Sequence, residues 1–381
     1  MSLKSVLGLE PDRKVRYAVV ALGDIAQEAM LPGIAYTGNS ELVALVSGDA
    51  AKARDVAEQY GISAIYPYER FGELLASGTI DAIYLATPNW RHAEFAVPAL
   101  EAGIHVLIEK PLEISSEQGQ LIADAQKRST AKLMVAYRLH FEPATLSLIE
   151  RIRSGEIGEV LTFSCAFAQM IDPANHRARS GFEAGPVLDM GPYPVNAARY
   201  VFEAEPTEVV SAVGVSHRFD GFDDTVAVTL RFPGNRLAQF TISYAANTID
   251  SYTAVGTAGS IQMNPGFMFG MPLEQYSAVG DSKSHKSFKS TDHFGGQMRY
   301  FSDCILRNLD PEPDVEEGMA DMRVLDGIAR ALKSGRPEPL PPFQRTRRID
   351  TAQVQTLAAR KTPDIVGVSN PAEGKEKAPA N

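Results

Sequence analysis

The sequence predicts an α/β protein in which a doubly wound parallel sheet is followed by an α+β domain with a large open, mostly antiparallel sheet. Two patterns support this fold class. Residues 15–137 alternate short apolar runs with helix-forming segments, which is typical of parallel strands joined by crossover helices. Residues 161–244 instead contain segments in which apolar and polar residues alternate, separated by turn signals such as Phe232–Arg236, which is typical of antiparallel strands.

Composition limits both the size of the fold and the kind of partner. A chain of 381 residues exceeds the length at which one core keeps growing, so two domains are expected. The net charge of -10 argues against a nucleic acid or an anionic membrane surface as the main partner. The longest apolar runs, at 15–22 and 80–86, are far too short to span a bilayer.

The two cysteines and the first residues bear on location. Cys165 and Cys304 lie far apart in the sequence, with no C-x-x-C pair and no cluster of cysteine and histidine. We therefore expect reduced thiols, no bound metal and a cytoplasmic protein. Residues 1–14 contain no apolar core followed by small residues, so they do not predict a signal peptide.

A glycine turn follows the first predicted strand. Residues 21–26 (ALGDIA) match the dinucleotide-binding pattern G-x-G-x-x-G/A, with Ala21 at the first glycine. The second glycine, Gly23, lets the backbone approach a pyrophosphate, and the start of the next helix offers free N–H groups. Ala21 is a departure, because alanine tolerates this turn only if its φ stays negative. The pattern predicts a dinucleotide site that includes Gly23, Asp24 and Ile25.

The end of the second predicted strand bears on the choice of cofactor. At the offset of about 20 residues where such proteins bind the ribose, Ser47-Gly48 stands in place of an acidic residue, and Lys52 and Arg54 follow. This combination suits a 2′-phosphate and favours NADP, with NAD still possible. In the alternative interpretation Lys52 and Arg54 face water and Asp49 caps the next helix.

Polar or charged side chains also follow the predicted strands at 82–86 and 106–108. Ligands of open α/β sheets bind at the carboxyl ends of the strands. We therefore expect the cofactor to contact Thr87, Pro88, Asn89, His92, Glu109 and Lys110. For Asn89 the alternative is an ordinary helix cap, and for Lys110 it is a surface ion pair with Glu109 that is closed by a turn proline.

Residues 185–200 predict a helix that begins at Pro186. Asp189, Tyr193 and Asn196 recur at i, i+4 and i+7, which places one polar face on an otherwise apolar helix. Such a face needs a partner, so Asp189 and Tyr193 are candidate site residues. The alternative is a structural helix whose tyrosine hydroxyl is satisfied locally. Prolines at 192 and 194 predict a kink.

Four other side chains are candidates without a defined geometry. Arg177 and Arg179 precede the predicted helix, and they would favour a polyhydroxylated or anionic ligand if they line the same cleft. In the alternative interpretation both arginines are solvated. His140 and His176 are near the predicted site residues in the sequence.

These patterns define the expected domains. We assign an N-terminal arm to residues 1–14, a dinucleotide-binding Rossmann domain to 15–140, and an α+β substrate and dimerisation domain to 141–343. Residues 344–381 turn polar and are expected to form a C-terminal arm that is partly disordered. The half-apolar outer face of the open sheet would be the dimer surface.

The chain resembles the glucose-fructose oxidoreductase, inositol dehydrogenase and rhizopine catabolism (Gfo/Idh/MocA) family over residues 14–343. The resemblance lies in four motifs that follow the family's order, which are 21–26 (ALGDIA), 87–92 (TPNWRH), 109–111 (EKP) and 185–193 (GPVLDMGPY). Many members have histidine where this chain has Tyr193. Tyr193, Ser47-Gly48 and residues 137–143 are more similar to the glucose-fructose oxidoreductase branch and its dihydrodiol and pentose dehydrogenase relatives.

The family implies roles for three residues. Lys110 would contact the nicotinamide ribose and the reacting oxygen, with a cis bond to Pro111. Asp189 would bind substrate hydroxyls, and Tyr193 would donate or accept the proton. A free tyrosine has a pKa of ~10, so a nearby cation such as Lys110 would have to favour its phenolate.

The implied activity is NADP-dependent transfer of hydride between nicotinamide and a hydroxyl or carbonyl carbon of a sugar or related polyol, first of all C1 of an aldose. Alternatives are a dihydrodiol or inositol-type dehydrogenase, or a non-catalytic regulator that senses dinucleotide or sugar, because one fold serves several functions. Expected partners are a small-molecule substrate and further copies of the chain in a homodimer or homotetramer. Nucleic acid and membrane are not expected.

Overall fold

A computed structural model describes residues 13–345, 347–360 and 364–368. Most of the N-terminal arm predicted at 1–14, and the last thirteen residues of the predicted C-terminal arm, therefore lie outside the described residues.

The Lys110–Pro111 peptide bond is cis, as the family resemblance implies.

The first half of the described chain contains a six-stranded parallel sheet with the strand order β3-β2-β1-β4-β5-β6. Its strands are β1 (Val15–Val20), β2 (Ser40–Val46), β3 (Ala64–Tyr66), β4 (Ala82–Leu85), β5 (His105–Ile108) and β6 (Leu133–Val135). The order reverses between β1 and β4, which is the switch point where ligands of such sheets bind. The predicted doubly wound parallel sheet is confirmed.

Crossover helices connect these strands. They are α1 (Leu31–Ile34), α2 (Ala50–Tyr60), α3 (Phe71–Ala76), α4 (His92–Glu101) and α5 (Ser116–Arg128), and a π-helical turn, Ala26–Met30, leads into α1. The side chains of Asp49 and Ser115 accept hydrogen bonds from backbone N–H groups in the first turns of α2 and α5. These caps satisfy N–H groups that have no partner within the helix, and so they fix where both helices begin.

The described chain after residue 155 contains a nine-stranded sheet with the order β14-β13-β12-β11-β7-β10-β9-β8-β15. Its strands are β7 (Val160–Ala168), β8 (Glu208–Val215), β9 (Thr225–Phe232), β10 (Arg236–Ser243), β11 (Ile249–Gly256), β12 (Gly259–Met263), β13 (Glu274–Val279), β14 (Ser282–Ser287) and β15 (Glu338–Pro339). Strands β7 and β10 pair in parallel, whereas the other pairs are antiparallel. The predicted open, mostly antiparallel sheet is therefore also confirmed.

One face of the large sheet is covered by helices and the other is open. The helices of this half are α6 (Pro143–Arg153), α7 (Pro186–Asp189), α8 (Pro192–Phe202), α9 (His293–Leu306) and α10 (Val315–Ser334). Strand β9 alternates buried apolar residues with more exposed ones, as an antiparallel strand with one covered face should. On the open side Val213 is 62% exposed, and Ile249 is 46% exposed.

Helix α9 follows strands β7 to β14 of the second sheet in the chain but packs on the first sheet. Phe294, Met298 and Phe301 of α9 belong to the buried cluster on one face of the N-terminal sheet. The hydroxyl of Ser302 lies 2.8 Å from the hydroxyl of Tyr17 on β1. Helix α9 therefore supplies part of the layer that covers β1.

The described part of the chain after residue 343 is docked against both halves. The carbonyl of Leu357 accepts a hydrogen bond from the Asp292 N–H at 2.8 Å. Gln353 donates to the carbonyl of His140 at 2.9 Å. Within the described residues, no helix combines the length and the apolar character that crossing a membrane requires.

Candidate active site

A large cleft lies between the carboxyl ends of the N-terminal strands and the helices of the second half. Its cavity volume is about 570 Å³. Pockets for drug-sized ligands have volumes of about 300–1,000 Å³, so the cleft has the size of a ligand-binding site. The expected site residues that line it are Gly23, Asp24, Ile25, Ser47, Gly48, Lys52, Thr87, Pro88, Asn89, Glu109, Lys110, Asp189 and Tyr193.

The glycine turn departs from the expectation for Ala21. Ala21 has a φ of 72°, in the left-handed region, so the expectation that its φ stays negative is wrong. The turn holds it there, because the Ala21 N–H donates to the Val46 carbonyl at 2.9 Å and the residue is buried. At Gly23 an added Cβ would meet nothing within 4 Å. The backbone of Gly23 therefore faces open space, which is what the approach of a pyrophosphate requires.

The residues that follow β2 form a polar part of the cleft wall. The Ser47 hydroxyl accepts a hydrogen bond from the Asp49 N–H at 3.1 Å. Asp49 caps α2, which was the alternative interpretation of this residue. Its carboxylate accepts hydrogen bonds from the backbone N–H groups of Lys52 and Ala51, and these bonds lower its pKa. Lys52 is half-buried and lines the cleft, whereas Arg54 is exposed and does not. A Cβ on Gly48 would lie 2.8 Å from the Tyr68 ring, so glycine is needed there.

The loop after β4 has a hydroxyl without a partner in the described part of the protein and a contact with the second half of the chain. The buried Thr87 hydroxyl has no hydrogen-bond partner among the described residues, so it is available to a ligand. Asn89 does not cap a helix; its side-chain amide donates to the Glu183 carbonyl at 3.0 Å. Thr87 and the open backbone at Gly23 fit a dinucleotide in this cleft.

His92, which we expected among the cofactor contacts, lies outside the cleft. Its Nε2 is 3.1 Å from the Thr87 carbonyl oxygen and its Nδ1 is 3.1 Å from the Pro111 carbonyl oxygen. Burial lowers the pKa of His92 to about 4, so the ring is neutral at physiological pH. His92 connects the loops after β4 and β5 from behind, because its side chain is completely buried.

Lys110 and Asp189 meet in the cleft. The Lys110 ammonium donates to the Asp189 backbone oxygen at 2.7 Å and to Oδ1 at 3.1 Å. Asp189 Oδ2 accepts from Arg177 Nε at 2.9 Å and from the Tyr244 hydroxyl at 2.8 Å. Burial opposes both charges, but the cations Arg177 and Lys110 bring the pKa of Asp189 below its usual value, and Asp189 raises that of Lys110. Both groups are therefore charged at neutral pH.

Tyr193 lies beside this ion pair. The Lys110 ammonium is 4.9 Å from the centre of the Tyr193 ring. The tyrosine hydroxyl accepts a hydrogen bond from Arg138 Nη2 at 3.3 Å. Arg138 is buried and is held by the Phe267 carbonyl and by His293 Nδ1, so its position is fixed.

The helix that carries Asp189 and Tyr193 is interrupted just before Pro192, where the prolines at 192 and 194 predicted a kink. Helix α7 ends at Asp189 and α8 begins at Pro192. A Cβ on Gly191 would lie 2.2 Å from the Val187 carbonyl oxygen, so only glycine fits the break. Asp189 and Tyr193 face the cleft, but Asn196 does not: its Oδ1 accepts from His140 Nε2 at 2.7 Å in a buried polar cluster.

The remaining candidates separate into two groups. Arg177 and His176 line the cleft, whereas Arg179 is exposed, with its Nε 3.4 Å from the Pro173 carbonyl oxygen. Two functional candidates, Arg138 and Tyr244, were not singled out from the sequence. Each follows the end of a strand, β6 or β10, and that position was the available signal.

Neither cysteine lines the cleft. Cys165 and Cys304 are both unpaired and buried, and burial raises the pKa of both thiols. Within the described residues, no three His, Cys, Asp or Glu side chains are grouped so that they could hold a metal ion.

A doubly wound sheet with a glycine turn, opening onto a lysine, an aspartate and a tyrosine, is typical of nicotinamide-dependent oxidoreductases. Residues 15–137 match the oxidoreductase family with an NAD-binding Rossmann fold, and residues 145–262 match the GFO/IDH/MocA C-terminal domain. The chain belongs to the Gfo/Idh/MocA family and is an NAD(P)-dependent dehydrogenase.

Three relatives illustrate the range of the family. The chain is 31% identical to D-xylose 1-dehydrogenase [NADP(+)] of Haloarcula marismortui, over 85% of this chain and 92% of the relative. It is 30% identical to trans-1,2-dihydrobenzene-1,2-diol dehydrogenase of Bos taurus, over 84% and 97%. The crystal structure of aldose-aldose oxidoreductase from Caulobacter crescentus, complexed with glycerol, superposes with a TM-score of 0.81 at 31% identity, covering 86% of this chain and 100% of that one.

Proposed function

We propose that this protein is an NADP-dependent sugar oxidoreductase that transfers hydride between nicotinamide and C1 of an aldose, closest to the glucose-fructose oxidoreductase branch of the family. The observation that carries the proposal is the contact of Lys110 with Asp189 beside Tyr193 at the end of the cofactor cleft. The names of two similar proteins, a xylose 1-dehydrogenase and an aldose-aldose oxidoreductase, support an aldose as substrate.

The cofactor would extend along the carboxyl ends of β1, β2, β4 and β5. The residues that would hold it are Gly23, Asp24 and Ile25 at the pyrophosphate, Ser47, Gly48 and Lys52 at the 2′-phosphate, and Thr87, Pro88, Asn89, Glu109 and Lys110 at the nicotinamide end. We infer NADP rather than NAD because Oδ1 of Asp49 is engaged as a helix cap, while Lys52 lines the cleft. A bound nicotinamide would supply the two-electron acceptor or donor.

Tyr193 would take the proton from the sugar hydroxyl during oxidation and return it during reduction. Lys110 would act as a fixed cation, because its pKa is raised and it stays protonated. It would stabilise the negative charge that develops on the sugar oxygen. The Asp189 carboxylate would accept from a neighbouring sugar hydroxyl through Oδ1, which receives one hydrogen bond, whereas Oδ2 already receives two.

A dihydrodiol dehydrogenase is the second candidate function. Phe167 packs edge-on against Tyr193 with a centroid separation of 5.3 Å, and both rings line the cleft. An apolar ring surface beside the proposed acid/base residue would suit the carbocyclic part of a dihydrodiol, the substrate named for the bovine relative.

The substrate test is the absorbance of reduced nicotinamide with NADP or NAD and a panel of aldoses, inositols and trans-dihydrodiols. An aldose with NADP should give the highest kcat/KM. Higher values with dihydrodiols would select the second candidate. Tight NADP binding with no turnover across the panel would instead indicate a sensor.

The residue test compares Tyr193→Phe with the wild type on the best substrate. A general acid or base contributes about 10²- to 10⁴-fold, so kcat should fall in that range. The dissociation constant for NADPH should change little, because the tyrosine hydroxyl is bonded to Arg138. Near-normal turnover by Tyr193→Phe would disprove the assigned role.

Self-association through the open face of the nine-stranded sheet is also part of the proposal. Val213, Val215, Ile249 and Val255 are large apolar residues exposed on its strands. A monomer rarely leaves such side chains grouped on one surface without a partner. The change Val213→Arg should therefore shift the sedimentation coefficient toward that of a smaller species.

A further inference from the structure

We propose that the C-terminal segment Asp364–Val368 fixes Lys52 at the edge of the cofactor cleft and so contributes to the preference for NADP over NAD. The inference rests on the cofactor part of the proposed function. It assigns a binding role to a segment that is more than 300 residues away from Lys52 in the sequence.

Two hydrogen bonds between Val366 and Gln27 join the segment to the glycine-turn region. The Val366 N–H donates to Gln27 Oε1 at 2.8 Å, and Gln27 Nε2 donates to the Val366 carbonyl at 3.0 Å. Gln27 Nε2 also lies 2.9 Å from the Leu22 carbonyl oxygen, inside the turn itself. The glutamine is 3% exposed, so this connection is shielded from water.

The next residue lies against the lysine. A Cβ built on Gly367 would be 3.2 Å from Lys52 Cε and 3.8 Å from Cγ, so the backbone of Gly367 covers the stem of the lysine side chain. Gly367 has a φ of 60°, in the left-handed region that favours glycine. Gln59, on the same helix as Lys52, lies 3.4 Å from the Asp364 carbonyl oxygen through its Nε2.

Restraint of a lysine matters because its side chain has many rotamers. A free ammonium must lose this freedom when it pairs with a phosphate, whereas a restrained one has already lost part of it. NAD lacks the 2′-phosphate, so the restraint contributes to NADP binding alone. Loss of the segment should therefore change the ratio of the two affinities and not only their level.

The chain upstream of the segment has its own contacts. Arg360 lies over the Tyr36 ring, 3.0 Å from its centre, and Ala358 forms an isolated bridge with Thr291. A chain that stops after Arg360 therefore keeps this docking and loses the segment. A chain that stops after Val368 keeps the segment and is the matched control.

The experiment measures dissociation constants of NADPH and NADH by nicotinamide fluorescence, with cofactor-free protein. Immobilising one such side chain is worth about 0.5–1.5 kcal/mol, so stopping after Arg360 should weaken NADPH binding about two- to tenfold and leave NADH within about twofold. The chain that stops after Val368 should bind both like the full chain. Equal weakening for both cofactors, or no weakening, would overturn the inference.

A point variant and a double variant separate the lysine from other effects. Gly367→Val places a branched side chain against Lys52 in an unfavourable conformation and should reproduce the loss without truncation. In a Lys52→Met background the truncation should cost no further NADPH affinity, and a second loss of the same size would refute the role of Lys52. If the full chain binds neither cofactor, the proposed function fails too; if it binds NADPH and the affinity ratio never changes, only this inference fails.

Discussion

The guanidinium of Arg138 donates to the Tyr193 hydroxyl at 3.3 Å, while the Lys110 ammonium lies over the face of the same ring, 4.9 Å from its centre. The proposed acid/base residue thus has a cation at its oxygen and another at its π-face. The direct partner of the hydroxyl is Arg138, and the lysine has its hydrogen bonds with Asp189.

Arg138→Met should lower kcat on the best sugar by about 10- to 100-fold, the equivalent of losing one hydrogen bond between charged groups. The guanidinium would stabilise Tyr193 when its oxygen has lost the proton. Steady-state kinetics measure the effect, and NADPH binding with a thermal melt show that the fold is intact. Arg138→Lys should recover part of the activity, and unchanged kcat in Arg138→Met would contradict the role.

Tyr244→Phe should raise the KM for the sugar about tenfold with a smaller effect on kcat, because Asp189 loses one donor that holds its carboxylate. Tyr244 is completely buried, so the change should also reduce the free energy of unfolding by about 1.5–3 kcal/mol. Tyr252→Phe is the control, since that buried hydroxyl pairs with Tyr200. It should reduce stability and leave KM unchanged, and a similar KM for both variants would argue against positioning.

His140 should make the stability depend on pH. Its Nδ1 faces Glu312 Oε2 at 3.1 Å and its Nε2 faces Asn196 Oδ1 at 2.7 Å, so both ring nitrogens meet acceptors. Burial lowers the pKa of His140, but Glu312 and then Glu317 raise it overall. A raised folded-state pKa stabilises the protein fully below the usual value of ~6.5, and this stabilisation is lost as the pH rises through the folded-state pKa.

Urea unfolding of His140→Gln and wild type checks this linkage. The variant should be less stable by about 1.5–3 kcal/mol near pH ~6, and the difference should shrink toward pH ~9. Both proteins are measured at each pH, because another group in the same cluster also makes stability depend on pH. Burial raises the pKa of Asp321 to about 6. A difference that is the same at both pH values would show that the histidine is neutral in the fold.

Ala21→Gly should stabilise the protein by about 0.5–1 kcal/mol. A left-handed conformation costs an L-residue about 1–2 kcal/mol, and the greater chain entropy of glycine offsets part of that relief. Ala26→Gly, in the helical turn that follows, should destabilise by about 0.5–1 kcal/mol. Urea unfolding compares the two, and loss of stability in Ala21→Gly would show that the turn does not strain Ala21.

Features with a local cause were predictable from the sequence. The apolar run before Gly23 predicts β1, and the alternation through Thr225–Phe232 predicts a strand covered on one side, because both follow from residue spacing. The cap at Asp49 and the start of a helix at Pro186 follow from side-chain chemistry at one position.

Features set by distant contacts were not predictable. The position of Arg138 depends on its contacts with His293 and the Phe267 carbonyl. His92 has the residue type of a ligand-binding side chain, but its burial between two loops is a tertiary property. Spacing along the chain contains no information about these partners.

Helix α9 also affects how the protein is made. The ribosome releases β1 to β6 well before His293, and at about 5–20 residues per second the delay is of the order of ten seconds or more. Until α9 emerges, the apolar face that Phe294, Met298 and Phe301 later cover is exposed on the nascent chain. The nucleotide-binding half is translated first but completed late, so an unfinished polypeptide would depend on chaperones at that surface.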